Sequence, residues 1–272
     1  MTSIAEKTSV LQYRSLIWNF AQRDLKSRYK GTALGWAWSL MVPLATLGMY
    51  SVVFGIIFRA SAPNFGNGRQ AVFAVWLFVG LVAYGFFSAS ITTSMGSMLG
   101  TGILLKKVYF PAYAPVVGSL IAVGFQSLIE STILLVVLAA FGNVGWTWLL
   151  APAWAAIFFV FAAGFAMVFS VGGIYFRDLA PLIGVLLQLF FFSTPIMYPI
   201  SMIPEEWYGI PFREIISSNP LSKFIELLRD VLYDLDTGTI ADWMTILAWA
   251  VASLLVGAFV VKRYGRDLGE QI

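Results

Sequence analysis

Residues 22–38, QRDLKSRYKGTALGWAW, mark the point at which the chain changes from charged to apolar. Five charged side chains lie between Arg23 and Lys30, and the following 28 residues, 31–58, carry no charge at all. About 20 consecutive apolar residues are enough for a helix to cross the hydrocarbon core of a bilayer. The junction therefore predicts a charged segment in water, followed at once by a membrane-spanning helix.

The composition extends this prediction to the whole chain. Of its 272 residues 59% are hydrophobic and only 11% are charged, whereas soluble domains usually have about 25% charged residues. Long apolar runs indicate helices, because the strands of a membrane barrel alternate in polarity at every second residue. The fold class predicted is therefore an all-α integral membrane protein.

The sequence contains no cysteine and no histidine. Disulfides and metal sites built on thiolate or imidazole ligands are therefore excluded. A histidine proton relay and a Ser-His triad are excluded for the same reason. We expect no metal site and no catalytic residue on this chain.

Uncharged stretches of sufficient length predict six transmembrane helices. They cover approximately residues 32–58, 71–98, 112–140, 148–174, 179–199 and 243–261. If the N-terminus is cytoplasmic, 12 of the 17 basic residues fall on the cytoplasmic side. The positive-inside rule therefore predicts a multi-pass protein with both termini in the cytoplasm.

Two segments outside the spans also have helical patterns. Residues 10–30 place basic and polar side chains opposite aromatic and aliphatic ones, which is typical of an amphipathic helix at the membrane interface. Residues 200–242 hold eight acids and three bases, so they are not a span, yet apolar residues recur there at helical spacing. Asn219-Pro220 is a typical helix start. Two short re-entrant helices in the outer leaflet are therefore predicted between spans 5 and 6.

Several motifs in order along the chain resemble those of a known family. RDLKSRYKGTALGWAWSLMVPL (23–44) is similar to the opening motif of type-2 ABC exporter permeases, in the branch that exports O-antigen, capsule, teichoic acid or related cell-envelope polysaccharides. The similarity continues in KKVYFP (106–111), YFRDL (175–179), STPIMYP (193–199) and SNPL (218–221). It covers essentially the whole chain.

The resemblance implies a single transmembrane permease domain, residues 1–272, in the bacterial inner or plasma membrane. Its implied partners are a second copy of itself, two copies of a cytoplasmic ABC ATPase subunit, a lipid-linked glycan substrate and membrane lipids, with no nucleic acid. The sequence has no G-x-x-x-x-G-K-[ST] phosphate loop. We therefore expect no cofactor on this chain, and ATP and Mg²⁺ on the partner ATPase.

In this family the ATPase binds an interfacial helix and the first cytoplasmic loop, which correspond here to residues 10–30 and 99–110. The implied ATPase-coupling residues are Arg23, Lys26, Arg28, Lys30, Lys106, Lys107 and Tyr109. The residues alone also allow a simpler interpretation, in which these charges only anchor the neighbouring helices in the cytoplasm.

Within the membrane, Glu130 stands out because an intramembrane carboxylate is costly, and Gln126 lies one turn earlier on the same helical face. Both are predicted at a conduit or dimer interface, with a structural hydrogen-bonding site between helices as the alternative. Aromatic faces suit sliding sugar rings, so Gln188, Phe191 and Tyr198 are further conduit candidates, although phenylalanine also commonly faces lipid.

Two further groups are assigned on the loops. Arg177 and Asp178 are candidates for an entrance that binds phosphate, or for a salt bridge that holds the bend between spans 4 and 5. The resemblance implies that the outer segment, residues 200–240, closes the outer mouth. The corresponding outer gate residues are Trp207, Tyr208, Asn219, Pro220 and Phe224.

The predicted function is that of the permease subunit of an ATP-driven exporter, which moves a lipid-linked polysaccharide or teichoic-acid-like polymer out of the cytoplasm. Export of a drug or a small lipid is the nearest alternative. An ion-coupled secondary transporter would require paired charges in mid-membrane, whereas Glu130 is the only one there. A lipid-modifying membrane enzyme would require a cluster of catalytic groups that the sequence does not contain.

Overall fold

The computed structural model describes residues 13–101, 111–176 and 178–265, which form helices joined by short loops. A single isolated β-bridge, between Trp207 and Ile210, occurs in these ranges. The α-helices are α1 (Arg14–Tyr29), α2 (Trp38–Tyr50), α3 (Phe73–Gly100), α4 (Tyr113–Ala140), α5 (Ala151–Tyr175), α6 (Leu179–Ser193), α7 (Phe212–Ser217), α8 (Pro220–Arg229) and α9 (Ile240–Tyr264). Helices α2 and α8 continue as π-helical turns over Ser51–Ile57 and Asp230–Asp234, and 3₁₀ turns occupy Gly35–Ala37, Trp146–Leu150 and Ile200–Met202.

Five helical stretches in the described residues are long and apolar enough to cross a membrane. They are Gly35–Ile57, Phe73–Gly100, Tyr113–Ala140, Trp146–Tyr175 and Ile240–Tyr264. Each lies within a few residues of a predicted span. The all-helical membrane fold expected from the sequence is therefore confirmed.

The fifth predicted span, residues 179–199, differs from the prediction. Its helix α6 has only 15 residues and ends at Ser193, which gives a length of about 22 Å. Thr194 is extended, with φ −98° and ψ 137°, because the residue before a proline is disfavoured in the α-helical region and Pro195 follows. Residues 194–199 therefore form a turn rather than the end of a spanning helix.

Helix α3 lies at the centre of the described structure and is buried along most of its length. It packs against α4 on one side and α5 on another. Helices α2 and α6 are mainly exposed, and their exposed side chains are large and apolar. In a membrane such faces contact lipid or another protein.

Helix α1 rests on the N-terminal part of α4. Ile17 and Phe20 are buried against Ala114, with Tyr113 at the edge of the same cluster. Trp18 remains half exposed on another face of α1. After α1 the backbone turns at Gly31, whose φ of +79° favours glycine.

Two glycines allow α5 and α9 to approach closely. A Cβ added to Gly164 would overlap the carbonyl group of Ser253, and one added to Gly257 would lie 2.6 Å from the Gly164 carbonyl oxygen. Small residues at such crossings permit the backbone contact that drives helix association in membranes.

We expect Gly164→Ala to lower the free energy of unfolding by about 1–3 kcal/mol, because the added methyl group has no space at this crossing. Thermal unfolding of the purified protein in detergent measures the effect. Gly48→Ala on α2 is the matched control, since a Cβ at Gly48 meets nothing within 4 Å. Equal midpoints for the two variants would contradict this close contact.

Candidate translocation site

The outer segment contains one firmly held part, α8 and the turn after it. Asn219 accepts a hydrogen bond from the Leu221 backbone N–H at 3.0 Å, and Pro220 occupies the first turn. The predicted helix start is therefore confirmed. Phe224 is fully buried between α5 residues, with its ring centroid 4.9 Å from Phe158 and 4.7 Å from Phe161.

Side chains of the loop between α4 and α5 donate hydrogen bonds to the backbone carbonyl groups of the turn that follows α8. Thr147 donates to the Val231 carbonyl at 2.7 Å, and Asn143 donates to the Tyr233 carbonyl at 2.8 Å. The Trp148 indole donates to the Leu232 carbonyl at 3.2 Å. These carbonyl groups have no partner within a regular helix, so the loop between α4 and α5 holds this turn in place.

Arg229 joins the same part to the break after α6. The residue is only 5% exposed, and its guanidinium donates to the carbonyl oxygens of Pro195 and Ile196, each at 2.8 Å. Its Cζ atom lies 3.5 Å from the centroid of the Trp76 ring. Gly80 provides the space, because a Cβ there would lie 3.0 Å from the guanidinium. Arg229 thus connects α8, α3 and the turn at residues 194–199.

Three acidic residues of the outer segment, Glu226, Asp230 and Asp234, lie close enough to Arg229 to interact with its charge. Asp230 and Asp234 lie outside the membrane-spanning helices. Burial, followed by the neighbouring carboxylates of Asp234 and Asp236, raises the pKa of Asp230 to about 7. Burial also raises the pKa of Asp234 to about 6, although Arg229 opposes that rise. No metal-binding group of three or more carboxylates occurs among the described residues.

The remaining gate candidates lie on an exposed hairpin. Trp207 and Ile210 exchange backbone hydrogen bonds of 3.0 Å across a turn whose central residues, Tyr208 and Gly209, both have positive φ. Trp207 is 55% exposed and Tyr208 is 89% exposed. The predicted gate residues therefore divide between a docked helix and an exposed turn.

Two of the conduit candidates line a groove between α3 and α6. Gln188 and Phe191 face Tyr84, Ser88 and Thr92 across a space of about 400 Å³. The Tyr84 hydroxyl donates to the Leu187 carbonyl, and its ring lies edge-on to Phe191, with centroids 5.1 Å apart. The groove therefore combines aromatic faces with hydroxyl and amide groups.

Tyr198 stands apart from this groove. Its hydroxyl donates to the Phe192 carbonyl at 2.8 Å, so it closes the turn after α6. Asp178 precedes α6 without a side-chain capping bond. Arg177 lies outside the described residues, so its pairing with Asp178 stays a prediction.

The structure brings Gln126 and Glu130 together on α4. The Gln126 amide donates to Glu130 Oε1 at 3.1 Å and to the Ser39 carbonyl at 3.2 Å. This pair therefore links α4 to the start of α2. Glu130 also faces Gly85 of α3, since a Cβ at Gly85 would lie 4.0 Å from its Oε2.

The predicted ATPase-coupling residues on α1 have two different environments. Lys26 and Lys30 are exposed. Arg23 donates to Ser97 Oγ at 2.8 Å, and Arg28 donates to Thr93 Oγ1 at 3.3 Å, so both contact α3. Lys106, Lys107 and Tyr109 lie outside the described residues.

Sequence reasoning missed Arg229 and Tyr84. Arg229 was counted only among the charges of an acidic segment, although it follows Leu227 and Leu228 on a largely apolar helix. Its position directly after that apolar pair was the available signal. Tyr84 lies in the middle of the second span, where a tyrosine hydroxyl needs a hydrogen-bond partner.

We expect Arg229→Gln to lower the free energy of unfolding by about 3 kcal/mol or more, because two hydrogen bonds from a charged donor are lost in a buried site. Unfolding by titration with a denaturing detergent measures the change. Lys223→Gln is the control on the same helix, since its partly exposed pair with Glu226, at 3.7 Å, contributes about 0–1 kcal/mol. A loss no larger for Arg229→Gln than for the control would contradict the anchoring role.

The raised pKa of Asp230 predicts that the folded state is most favoured in acid. The ordinary pKa of an aspartate, 3.8, applies in the unfolded chain, and the folded value is about 7. The contribution of Asp230 to stability is therefore complete below its unfolded pKa of 3.8, and it is lost as the pH rises through its folded pKa of about 7. Midpoints of thermal unfolding at about pH 5 and about pH 8 measure this, and Asp230→Asn should reduce the difference. An unchanged pH dependence in the variant would contradict it.

Comparisons with known proteins agree with this architecture. The family model described as ABC-2 type transporter matches residues 15–233. An O-antigen export system permease protein RfbA from Klebsiella pneumoniae is 31% identical over 77% of this chain and 76% of its own length. The protein of the same name from Myxococcus xanthus is 28% identical over 96% of each chain. The polysialic acid transport protein KpsM from Escherichia coli is 24% identical over 77% of this chain and 78% of its own length.

The matched region runs from α1 to the turn after α8 and includes the groove, the Gln126–Glu130 pair and the Arg229 anchor. It covers far more than half of the sequence. The chain therefore belongs to the ABC-2 type transporter family.

Proposed function

We propose that this chain is the permease subunit of an ATP-driven exporter that moves a lipid-linked polysaccharide, or a teichoic-acid-like polymer, from the cytoplasm across the inner or plasma membrane. The groove between α3 and α6 carries the proposal. Tyr84 and Phe191 offer faces on which sugar rings can stack, while Ser88, Thr92 and Gln188 offer hydrogen-bonding groups. The named relatives supply the substrate class, since two kinds of them transport polysaccharides.

The groove is open on one side, and its neighbours α2 and α6 expose apolar side chains. A second copy of the chain placed against these faces would cover them and close the groove into a conduit. We therefore include a homodimer in the proposal. Six crossings per subunit, with α6 as the short one and both termini in the cytoplasm, complete the proposed topology.

Energy would come from two copies of a separate ABC ATPase, which would bind ATP and Mg²⁺. Among the predicted coupling residues that the structure describes, Lys26 on α1 and Lys30 directly after it are exposed lysines available to it. The segment 99–110 would supply the second contact. Arg23 and Arg28 have side-chain partners on α3, so their contribution to this contact would be indirect.

The outer segment would act as the exit gate, with its two parts serving different roles. The docked α8, with Asn219, Pro220 and Phe224, would be the fixed wall, because its side chains are buried against α5. The exposed hairpin with Trp207 and Tyr208 would be the part that the polymer meets on leaving. Arg177 and Asp178 remain candidates for the entrance.

A purified complex with the ATPase encoded beside the gene tests the proposal. We expect a stoichiometry of two permeases to two ATPases, and ATP-dependent transfer of the lipid-linked polymer into the lumen of inverted vesicles. Failure to bind any ATPase while the permease remains folded would overturn the proposal. Transport of small lipids or drugs, with no transport of polymer, would favour the other branch of exporters.

Within that assay, we expect Phe191→Ala and Gln188→Leu to reduce the rate of polymer transfer about two- to tenfold, the range that corresponds to one lost aromatic contact or one lost hydrogen bond, respectively. Leu255→Ala is the matched control, because Leu255 is exposed on α9, outside the proposed dimer faces of α2 and α6, and does not line the groove. Equal effects of the three substitutions would show that the groove does not contact the polymer.

A further inference from the structure

A second cavity lies between α1 and the last turns of α3, and it shares no lining residue with the groove. It has a volume of about 310 Å³ and is lined by Arg23, Asp24, Ser27, Arg28, Thr93, Gly96 and Ser97. The cavity wall therefore carries both positive charge, from the two arginines, and negative charge, from Asp24, so it can pair with both charges of a zwitterionic ligand. Helix α3 is long and apolar enough to cross a membrane, and the cavity lies at its last two turns before Gly100, so we place the cavity at the level of the lipid headgroups.

The carboxylate of Asp24 is incompletely satisfied. Its Oδ1 accepts two hydrogen bonds from Arg23, at 3.0 and 2.9 Å. Its Oδ2 is buried and accepts no hydrogen bond from the part of the chain that the structure describes, and Asp24 is only 8% exposed. A buried carboxylate oxygen without a donor is costly. The site therefore calls for a ligand that brings a donor to Oδ2.

The two arginines that line the cavity, Arg23 and Arg28, can bind a phosphate group. Arg28 is held by one long hydrogen bond, 3.3 Å, to Thr93, so most of its planar array of N–H groups is available within the described structure. Such an array binds phosphate oxygens in pairs. Arg23 is fixed in place by Asp24 and Ser97. Its Nη1 group, with two N–H donors outside these three hydrogen bonds, adds positive charge to the same wall.

We propose that this cavity binds the phosphoethanolamine headgroup of a membrane phospholipid, with the phosphate on Arg28 and the ammonium group on Asp24 Oδ2. The headgroup has about eight non-hydrogen atoms, and 310 Å³ corresponds to about ten water volumes, so it fits. The lipid would fix α1 to the end of α3, next to the surface that the ATPase is proposed to contact.

A diphosphate without an amine fits the cavity less well. It would place two or more negative charges beside the Asp24 carboxylate and would leave Oδ2 without a donor. The lipid-linked polymer is therefore the less suitable occupant of this particular cavity. The binding experiment below requires neither polymer nor ATPase, so its outcome is independent of the proposed function.

Native mass spectrometry of the delipidated permease, titrated with lipids of identical acyl chains, tests the proposal. We expect phosphatidylethanolamine to bind about tenfold more tightly than phosphatidylcholine, whose quaternary ammonium has no N–H to donate to Asp24 Oδ2, as one additional hydrogen bond to a buried charge implies. Asp24→Asn should abolish this preference, and Arg28→Gln should weaken the binding of both lipids. Arg14→Gln removes the same charge from an exposed position on α1 outside the cavity and should change neither.

Gly96→Leu tests the cavity without altering any charge. A Cβ at Gly96 meets nothing within 4 Å, so the larger side chain can enter the cavity and should displace both lipids. Thermal unfolding of each variant confirms that it is folded. Equal binding of the two lipids by the unsubstituted protein would overturn the proposal, and so would ethanolamine-selective binding by Gly96→Leu. Displacement of phosphatidylethanolamine by a polyprenyl diphosphate that is insensitive to Asp24→Asn would assign the cavity to the transported substrate.

Discussion

A backbone N–H or carbonyl group inside a bilayer must find its partner within the protein, because the hydrocarbon provides none. Regular helices meet this requirement automatically over most of the length of the described spans. The chain departs from regular helix at residues 194–199 and again after α8. Arg229 at the first break, and Asn143 and Thr147 at the second, supply the missing donors. The position of the outer segment depends on these side chains.

The same requirement explains why charged and polar side chains are placed where they are. Arg229 reaches two carbonyl oxygens and an aromatic ring, so a cation that would be costly alone becomes a connector. Gln126 connects α4 to Ser39 and positions Glu130. Asp24 differs in lining a cavity: one of its oxygens accepts from Arg23, and the other accepts no hydrogen bond from the residues that the structure describes. A carboxylate in that position points to a ligand rather than to packing alone.

The features that the sequence could predict are those determined locally. Uninterrupted apolar runs identified the spanning helices, and Asn219-Pro220 identified the start of α8, because both depend on neighbouring residues. The predicted span 179–199 extends past the end of α6. Hydropathy remains high through Pro195 and Pro199, whereas backbone sterics end the helix at Ser193. Hydrophobicity and helical geometry are different properties, and a sequence window measures only the first.

Long-range contacts could not be predicted in this way. Arg229 looked like one more surface charge in an acidic segment, because its partner carbonyl groups lie more than 30 positions earlier. Arg23 and Ser97 are separated by 74 positions. The resemblance to exporter permeases assigned Arg23 to an ATPase contact, and only the folded chain shows its bond to α3. Charge and spacing selected candidate residues, whereas the tertiary fold determined what each one contacts.

In the proposed topology α6 is the short crossing, and this has a consequence for the surrounding membrane. At about 22 Å it falls about 8 Å short of a typical hydrocarbon core. Hydrophobic mismatch of this size is relieved by local thinning of the bilayer or by association with another protein surface. Either response would occur at the face of the molecule formed by α6, which is also the face that carries the groove. A thinned bilayer would shorten the distance that a polar polymer must cross beside it, and a protein neighbour would remove lipid from that path.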